Sequence, residues 1–128
     1  MSLFIDLLQT SNDFRCLKPS NNSEIVKAEN ELQLKFSEEY KDYILICGAA
    51  IGIGHEFTGL TISKRLNVVF VTQEERKYHT VPSDWYVVEQ LHIDGVVVWQ
   101  SASGEVYQSL PGQLPTKLCN SLLEYIKL

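Results

Sequence analysis

A change in hydrophobic period near Gly59 constrains the fold of this chain more than any other feature. Before it, apolar residues recur three and four apart, the interval of one helix face. After it they fall into short β-branched and aromatic runs, the pattern of strands. The two regimes meet in CGAAIGIGHEFTGL, residues 47–60, which holds four glycines and a single histidine. At 128 residues the chain is long enough to bury one core, so both regimes are assigned to a single domain, 1–128.

The helical half reads in three steps. Leu3 with Leu7, and Phe4 with Leu8, stand four apart and predict a short first helix that the polar run QTSNDF ends. The loop LKPSNNS then offers Asn21, Asn22 or Ser23 as an N-cap. Behind it Ile25, Ala28 or Glu29, Leu32 and Phe36 form one stripe, with Glu24, Lys27, Glu31 and Lys35 on the other face. Ser37 is expected to cap a third helix, with Glu38 and Glu39 at its positive end and Tyr40, Tyr43, Ile44 and Cys47 turned inward. Gly48 is expected to end that helix in the left-handed conformation.

Beyond Gly59, the runs LTIS, NVVFV, WYVVEQLHI, VVVWQ and VYQSL read as strands. Between the second and third, Thr72 and Glu75 match a capping box and predict one or two helical turns ending near His79. Asp94-Gly95 and SASGE carry the turn residues of an antiparallel meander. PTKLCNSLLEYIKL repeats Leu118, Leu122 and Ile126 at helical spacing and predicts a closing helix. The expected class is α+β: one domain in which N-terminal helices and a C-terminal helix pack on an antiparallel β-sheet meander.

Charge narrows the partners. Eleven bases against sixteen acids give a net charge of −5, which disfavours direct binding to nucleic acid or to an anionic membrane. No apolar run approaches the roughly 18 residues of a membrane span. The N-terminus carries Asp6 inside its apolar stretch and no basic leader, unlike a signal peptide. Cys16, Cys47 and Cys119 are an odd set without CxxC spacing, expected as reduced, mostly buried thiols of a cytoplasmic protein.

The chemistry-bearing residues do not assemble into an active site. Gly48, Gly52 and Gly54 spell GxxxGxG after a helix and before a strand, whereas phosphate-binding glycine loops follow a strand and open a helix. His55 has Glu56 beside it and Cys47 eight residues back, but neighbours on a strand face opposite ways, and His79 and His92 show no ligand spacing. His55 therefore reads as a polar loop residue. The cluster Glu74, Glu75, Arg76 and Lys77 reads as a solvated helix face, and Trp85, Tyr86 and Trp99 as core. No nucleophile, acid and base group emerges, so the chain is expected not to be an enzyme and to need no cofactor or metal.

The segment EIVKAENELQLKFSEEYKDYILICGAAIGIGHEFTGLTI resembles the signature of the SUKH superfamily in its Smi/Knr branch. Ile25, Glu29, Leu32, Phe36, Tyr40, Tyr43, Ile44, Gly48 and Gly59 fall on its positions. Thr72-x-Glu74-x-Arg76, Pro82, the VVVWQSASGEVY hairpin and the final amphipathic segment extend the likeness over about residues 23–128. Ser37 stands where the family usually has proline, a mild exchange because either residue can start a helix.

The resemblance implies an immunity protein that binds and neutralises a cognate toxin domain, commonly a nuclease, of a polymorphic or contact-dependent toxin system. Some relatives are regulatory scaffolds, which is the alternative role. With an acidic chain set against a basic toxin groove, the candidate partner-binding residues are His55, Glu56, Asp84, Trp85, Glu89 and Asp94. The glycine stretch then reads as architecture: Gly48 ends a helix, Gly52 and Gly54 bend the chain into the sheet, and Gly59 permits close packing.

Overall fold

The computed structural model describes residues 2–128. Helix α1 (Leu3–Leu8) starts where the Ser2 hydroxyl accepts the Ile5 amide at 3.1 Å. After a short strand β1 (Arg15–Cys16), helix α2 (Asn22–Leu32) opens with a reciprocal capping box between Asn21 and Glu24. Gln33 ends α2 in the left-handed region, so Phe36 is not on the α2 stripe, although it is buried in the same core. Helix α3 (Glu38–Ile46) begins at Ser37, whose hydroxyl accepts the Tyr40 amide, and it buries Tyr40, Tyr43 and Ile44.

Strands β2 (Ala50–Gly52) and β3 (His55–Phe57) form a hairpin to which β1 adds, giving a three-stranded antiparallel sheet in the order β1-β2-β3. A 3₁₀ turn, Lys64–Leu66, leads into helix α4 (Val68–Glu75). Strands β4 (Tyr86–Gln90), β5 (Val97–Gln100), β6 (Val106–Ser109) and β7 (Thr116–Cys119) make a second sheet, an antiparallel meander in sequence order. One turn of helix, α5 (Leu122–Tyr125), follows. The α+β class and the meander agree with the sequence. Asp94 (φ 54°) and Gly95 (φ 74°) form the expected tight β4–β5 turn, closed by the Val96 amide on the Ile93 carbonyl at 3.0 Å.

Three segment assignments and the state of the cysteines are corrected. NVVFV is helical, because the Asn67 side chain accepts the Val69 and Phe70 amides and thereby starts α4. LTIS forms no strand, its neighbourhood contributing only an isolated bridge between Gly59 and Asn67. The closing segment is strand β7 and then a single turn, since Thr116–Cys119 completes the meander by pairing with β6. Cys16 and Cys47 are joined in a disulfide, with Cα atoms 5.1 Å apart; folding brings β1 beside the end of α3, a proximity that a separation of 31 residues conceals.

The core has two parts. Phe4, Phe36, Tyr40, Tyr43, Phe57 and Tyr86 form the aromatic centre of the larger one, between the helices and both sheets. Val71, Trp85, Val87, Val97 and Trp99 form the smaller one, and the alternation of Val87 with Val88 and of Val97 with Val98 divides the two clusters between opposite sheet faces. Thr58 ties the sheets together: its amide donates to the Val88 carbonyl at 2.9 Å, and its hydroxyl to the Val87 carbonyl at 2.7 Å. A bulge between Val87 and Glu89 in β4 leaves those carbonyls reachable.

Ser37 does more than a proline could. Its amide donates to the Tyr86 hydroxyl at 3.0 Å and its hydroxyl to Gln100 Oε1 at 3.1 Å, so the exchange for proline is not mild.

Candidate functional site

Glycine geometry places the site. A Cβ on Gly59 would stand 1.7 Å from the Gly48 carbonyl oxygen, and one on Gly48 would stand 2.2 Å from the Lys18 carbonyl oxygen. Three backbone segments therefore lie against one another where no side chain fits, joined by the Leu60 amide on the Gly48 carbonyl at 2.7 Å and the Gly48 amide on the Leu17 carbonyl at 3.2 Å. Gly48 is needed for this approach, not for a left-handed cap: Cys47 ends α3 in extended conformation, and Gly48 has no positive φ. The β2–β3 reversal falls at Ile53 (φ 52°) and Gly54 (φ 75°). Both amides there donate to the Asp13 carboxylate at 2.9 Å, which fixes the hairpin tip.

The hairpin presents His55 and Glu56 to β4, and Glu89 receives them. Glu89 Oε1 accepts from the Tyr125 hydroxyl at 2.7 Å and lies 2.9 Å from His55 Nδ1, while Oε2 accepts the Glu56 amide at 2.8 Å. Glu89 is only 4% exposed, so this carboxylate is an interior hub with donors on both oxygens. The Glu89 hydrogen bond raises the His55 pKa above its ordinary value; burial opposes the rise, and the charges of Glu89 and Asp13 add to it. Tyr125 is pushed well above the phenol range, first by burial and then by the Glu89 charge.

The Glu56 side chain turns the other way, to a two-pronged pair with Arg65, whose Nη2 is 3.0 Å from Oε2. That hydrogen bond holds the Glu56 carboxyl below its usual range, with a smaller contribution from His92. His92 belongs to the same β4–β5 turn as Asp94, so Glu56 and the exposed Asp94 share one end of the molecule.

The six candidate residues thus divide. His55, Glu56 and Glu89 are brought into direct contact, and Asp94 lies on the β4–β5 turn whose His92 acts on Glu56. His55 is not a loop residue but a half-buried strand residue, and Glu89 offers its carboxylate to the interior, not to a partner. Asp84 and Trp85 stand at the opposite end of β4, where Asp84 is exposed and Trp85 is buried in a stack on Tyr107 with ring centroids 3.9 Å apart. Asp13 and Tyr125 join the site from segments far from residues 55–56, and Arg65 from nine residues beyond Glu56, without any local signal in the sequence.

The remaining reactive groups are structural in their surroundings. Trp99 Nε1 donates to Ser109 Oγ at 2.8 Å, and Ser109 Oγ lies 2.7 Å from His79 Nδ1, all three being buried. Glu74 pairs with Lys77 on the surface, as a solvated helix face would, whereas Arg76 turns inward and donates to the Ser83 carbonyl at 2.8 Å. Among the described residues no group of three or more His, Cys, Asp or Glu side chains is placed to hold a metal ion, and no helix is long and apolar enough to cross a membrane.

Comparison with known protein families gives a match to the SUKH model described as SMI1-KNR4 cell-wall, covering residues 1–128. The match takes in α1 and β1, which the resemblance over 23–128 left out. No curated protein matches the chain.

Proposed function

The chain belongs to the SMI1-KNR4 family of the SUKH superfamily, and from that premise we propose that it is a non-enzymatic immunity protein that binds and neutralises a cognate toxin domain, a basic nuclease of a polymorphic or contact-dependent system. The observation that carries this reading is the Glu89 hub, which holds His55 and the Glu56 backbone on a rigid hairpin beside Asp94. A surface already ordered before binding loses little entropy on association. The net charge of −5 favours rapid encounter with a basic groove. Asp84, exposed at the far end of β4, forms a second and separate part of the proposed contact surface, while Trp85 is buried against Tyr107 and does not reach a partner. The proposed setting is the cytoplasm, where such a toxin would act, with the Cys16–Cys47 pair as the feature that its reducing conditions would open.

Titration calorimetry against the C-terminal domain encoded by the neighbouring upstream gene tests the reading. Nanomolar one-to-one binding that weakens with salt is expected. Glu56→Gln with Asp94→Asn should slow association several-fold, and Glu89 is left intact because its carboxylate is internal. Absence of binding between two folded proteins would overturn the immunity role in favour of a regulatory scaffold for an endogenous partner.

A further inference from the structure

Away from the Glu89 hub, an open groove of about 820 Å³ runs between α2 and α4, with the segment 60–64 along its edge. Ala28, Leu60, Val69 and Phe70 supply its apolar lining. Ile62 is fully exposed at its margin, and the Phe70 ring, 40% exposed, lies 5.6 Å beneath Lys64 Nζ. Ile62 and Phe70 both line the groove and both are exposed, so apolar side chains meet water along this margin.

The charge of this groove is opposite to that of the rest of the molecule. Lys18, Lys27 and Lys64 line it against Glu24 and Glu31, a balance of +1, whereas the remaining eight bases and fourteen acids amount to −6. One of the two acids is already engaged: Glu24 Oε1 accepts the Asn21 amide at 3.1 Å in the capping box. Glu31 lies 4.0 Å from Lys27 in an exposed helical pair of little strength.

We propose that this groove docks a protein partner through an acidic segment carrying a large apolar side chain, the anchor lying over Leu60, Val69 and Phe70 and the carboxylates meeting Lys18, Lys27 and Lys64. The chemistry follows from the lining: apolar contact in the centre supplies affinity, and ammonium groups at the rim select the sign of the ligand. None of His55, Glu56, Asp84, Trp85, Glu89 or Asp94 lines the groove, so this surface is independent of the proposed toxin contact.

The test is heteronuclear NMR on the full chain, titrated with a short synthetic peptide in which Glu alternates with Leu and Phe. Amide shifts confined to residues 18–31 and 60–73 are expected, with roughly ten-fold or greater weakening in Ile62→Asp and in Lys64→Glu, and loss of binding when Lys replaces Glu in the peptide. Both substituted side chains are exposed, so the variants retain the fold. Absence of shifts at about millimolar peptide, shifts elsewhere, or variants that bind like the parent would each overturn the proposal. Groove amides that move on dilution of the protein alone, and cease to do so in Ile62→Asp, would identify a second copy of the chain as occupant and overturn it too. Toxin binding retained by Lys64→Glu would separate the two surfaces whichever result the peptide gives.

Discussion

His55 Nδ1 lies 2.9 Å from Glu89 Oε1, at the point where the β2–β3 hairpin meets the four-stranded sheet. Glu89 raises the His55 pKa above its unfolded value of about 6.5, so the protonated imidazole favours the native state. That contribution is complete below the unfolded pKa and is lost as pH rises through the folded one. Urea unfolding of the parent and His55→Gln should differ most near pH 5.5 and converge toward pH 8.5. A gap that widens with rising pH would contradict the pairing. Glu89→Ala should cost at least about 3 kcal/mol, because it strips the acceptor from buried donors.

The contact of Gly59 with Gly48 makes opposite demands from the turn at Gly54. Gly59→Ala would force a methyl group into the Gly48 carbonyl, a backbone atom that cannot swing aside, and should cost about 3 kcal/mol or more. Gly54→Ala meets nothing within 4 Å and bears only the strain of φ 75°, about 1 kcal/mol. Thermal melts of the two variants should therefore fall well apart. Equal losses would show that Gly59 and Gly48 do not approach this closely.

Glu39 reaches from the first turn of α3 to the start of α5. Its carboxylate accepts the Leu122 amide at 2.7 Å, the Leu123 amide at 3.0 Å and Gln100 Nε2 at 3.0 Å. Glu39→Gln replaces one acceptor with a donor and should lower stability by about 1–3 kcal/mol. Hydrogen exchange should quicken first in residues 122–128, because that last turn has few bonds of its own. Uniform acceleration across the chain would mean that α5 does not open separately.

The Cys16–Cys47 disulfide closes a loop of 31 residues and on the chain-entropy scale is worth about 3–4 kcal/mol. Reductant should lower the melting temperature of the parent to that of Cys16→Ser and leave the variant unchanged. A parent insensitive to reductant would mean that the thiols are not bonded, as the cysteine spacing alone suggests. Cys119, the remaining free cysteine, is half-buried, and burial raises its pKa, so it should react slowly with alkylating reagents near neutral pH.

Features set by a few consecutive residues were legible without the fold. Ser37 before Glu38 and Asp94-Gly95 each contain in one short stretch both members of the cap or turn they form, whereas the loop before α2 narrows its cap to Asn21, Asn22 or Ser23, of which the structure selects Asn21 with Glu24. The buried stripe of α2 and the antiparallel order of β4 to β6 follow from the same local periodicity. The helix–strand exchanges arose where local signals conflict. Val68–Val71 is β-branched and aromatic, yet Asn67 caps it and packing of Val68 and Val71 into the two core clusters holds it helical. Thr116–Cys119 has a helical repeat, but the open edge of β6 offers it backbone partners, which outweigh propensity.

By itself the sequence determined the class, the Ser37 cap, the Asp94-Gly95 turn and the family likeness, because those depend on residue type and spacing along one segment; Gly48 and Thr72, read as caps, are not caps, and Asn67 caps α4 instead. Only the tertiary structure decided the disulfide, the close approach of Gly48 and Gly59, and the convergence of Asp13, His55, Arg65, Glu89 and Tyr125. The physical reason is separation. Glu89 meets His55 across 34 residues and Tyr125 across 36, and a hydrogen bond between such distant positions leaves no periodic trace in either segment. It exists because burial of the surrounding aromatic core brings β3, β4 and α5 together and leaves one carboxylate to satisfy the donors enclosed there.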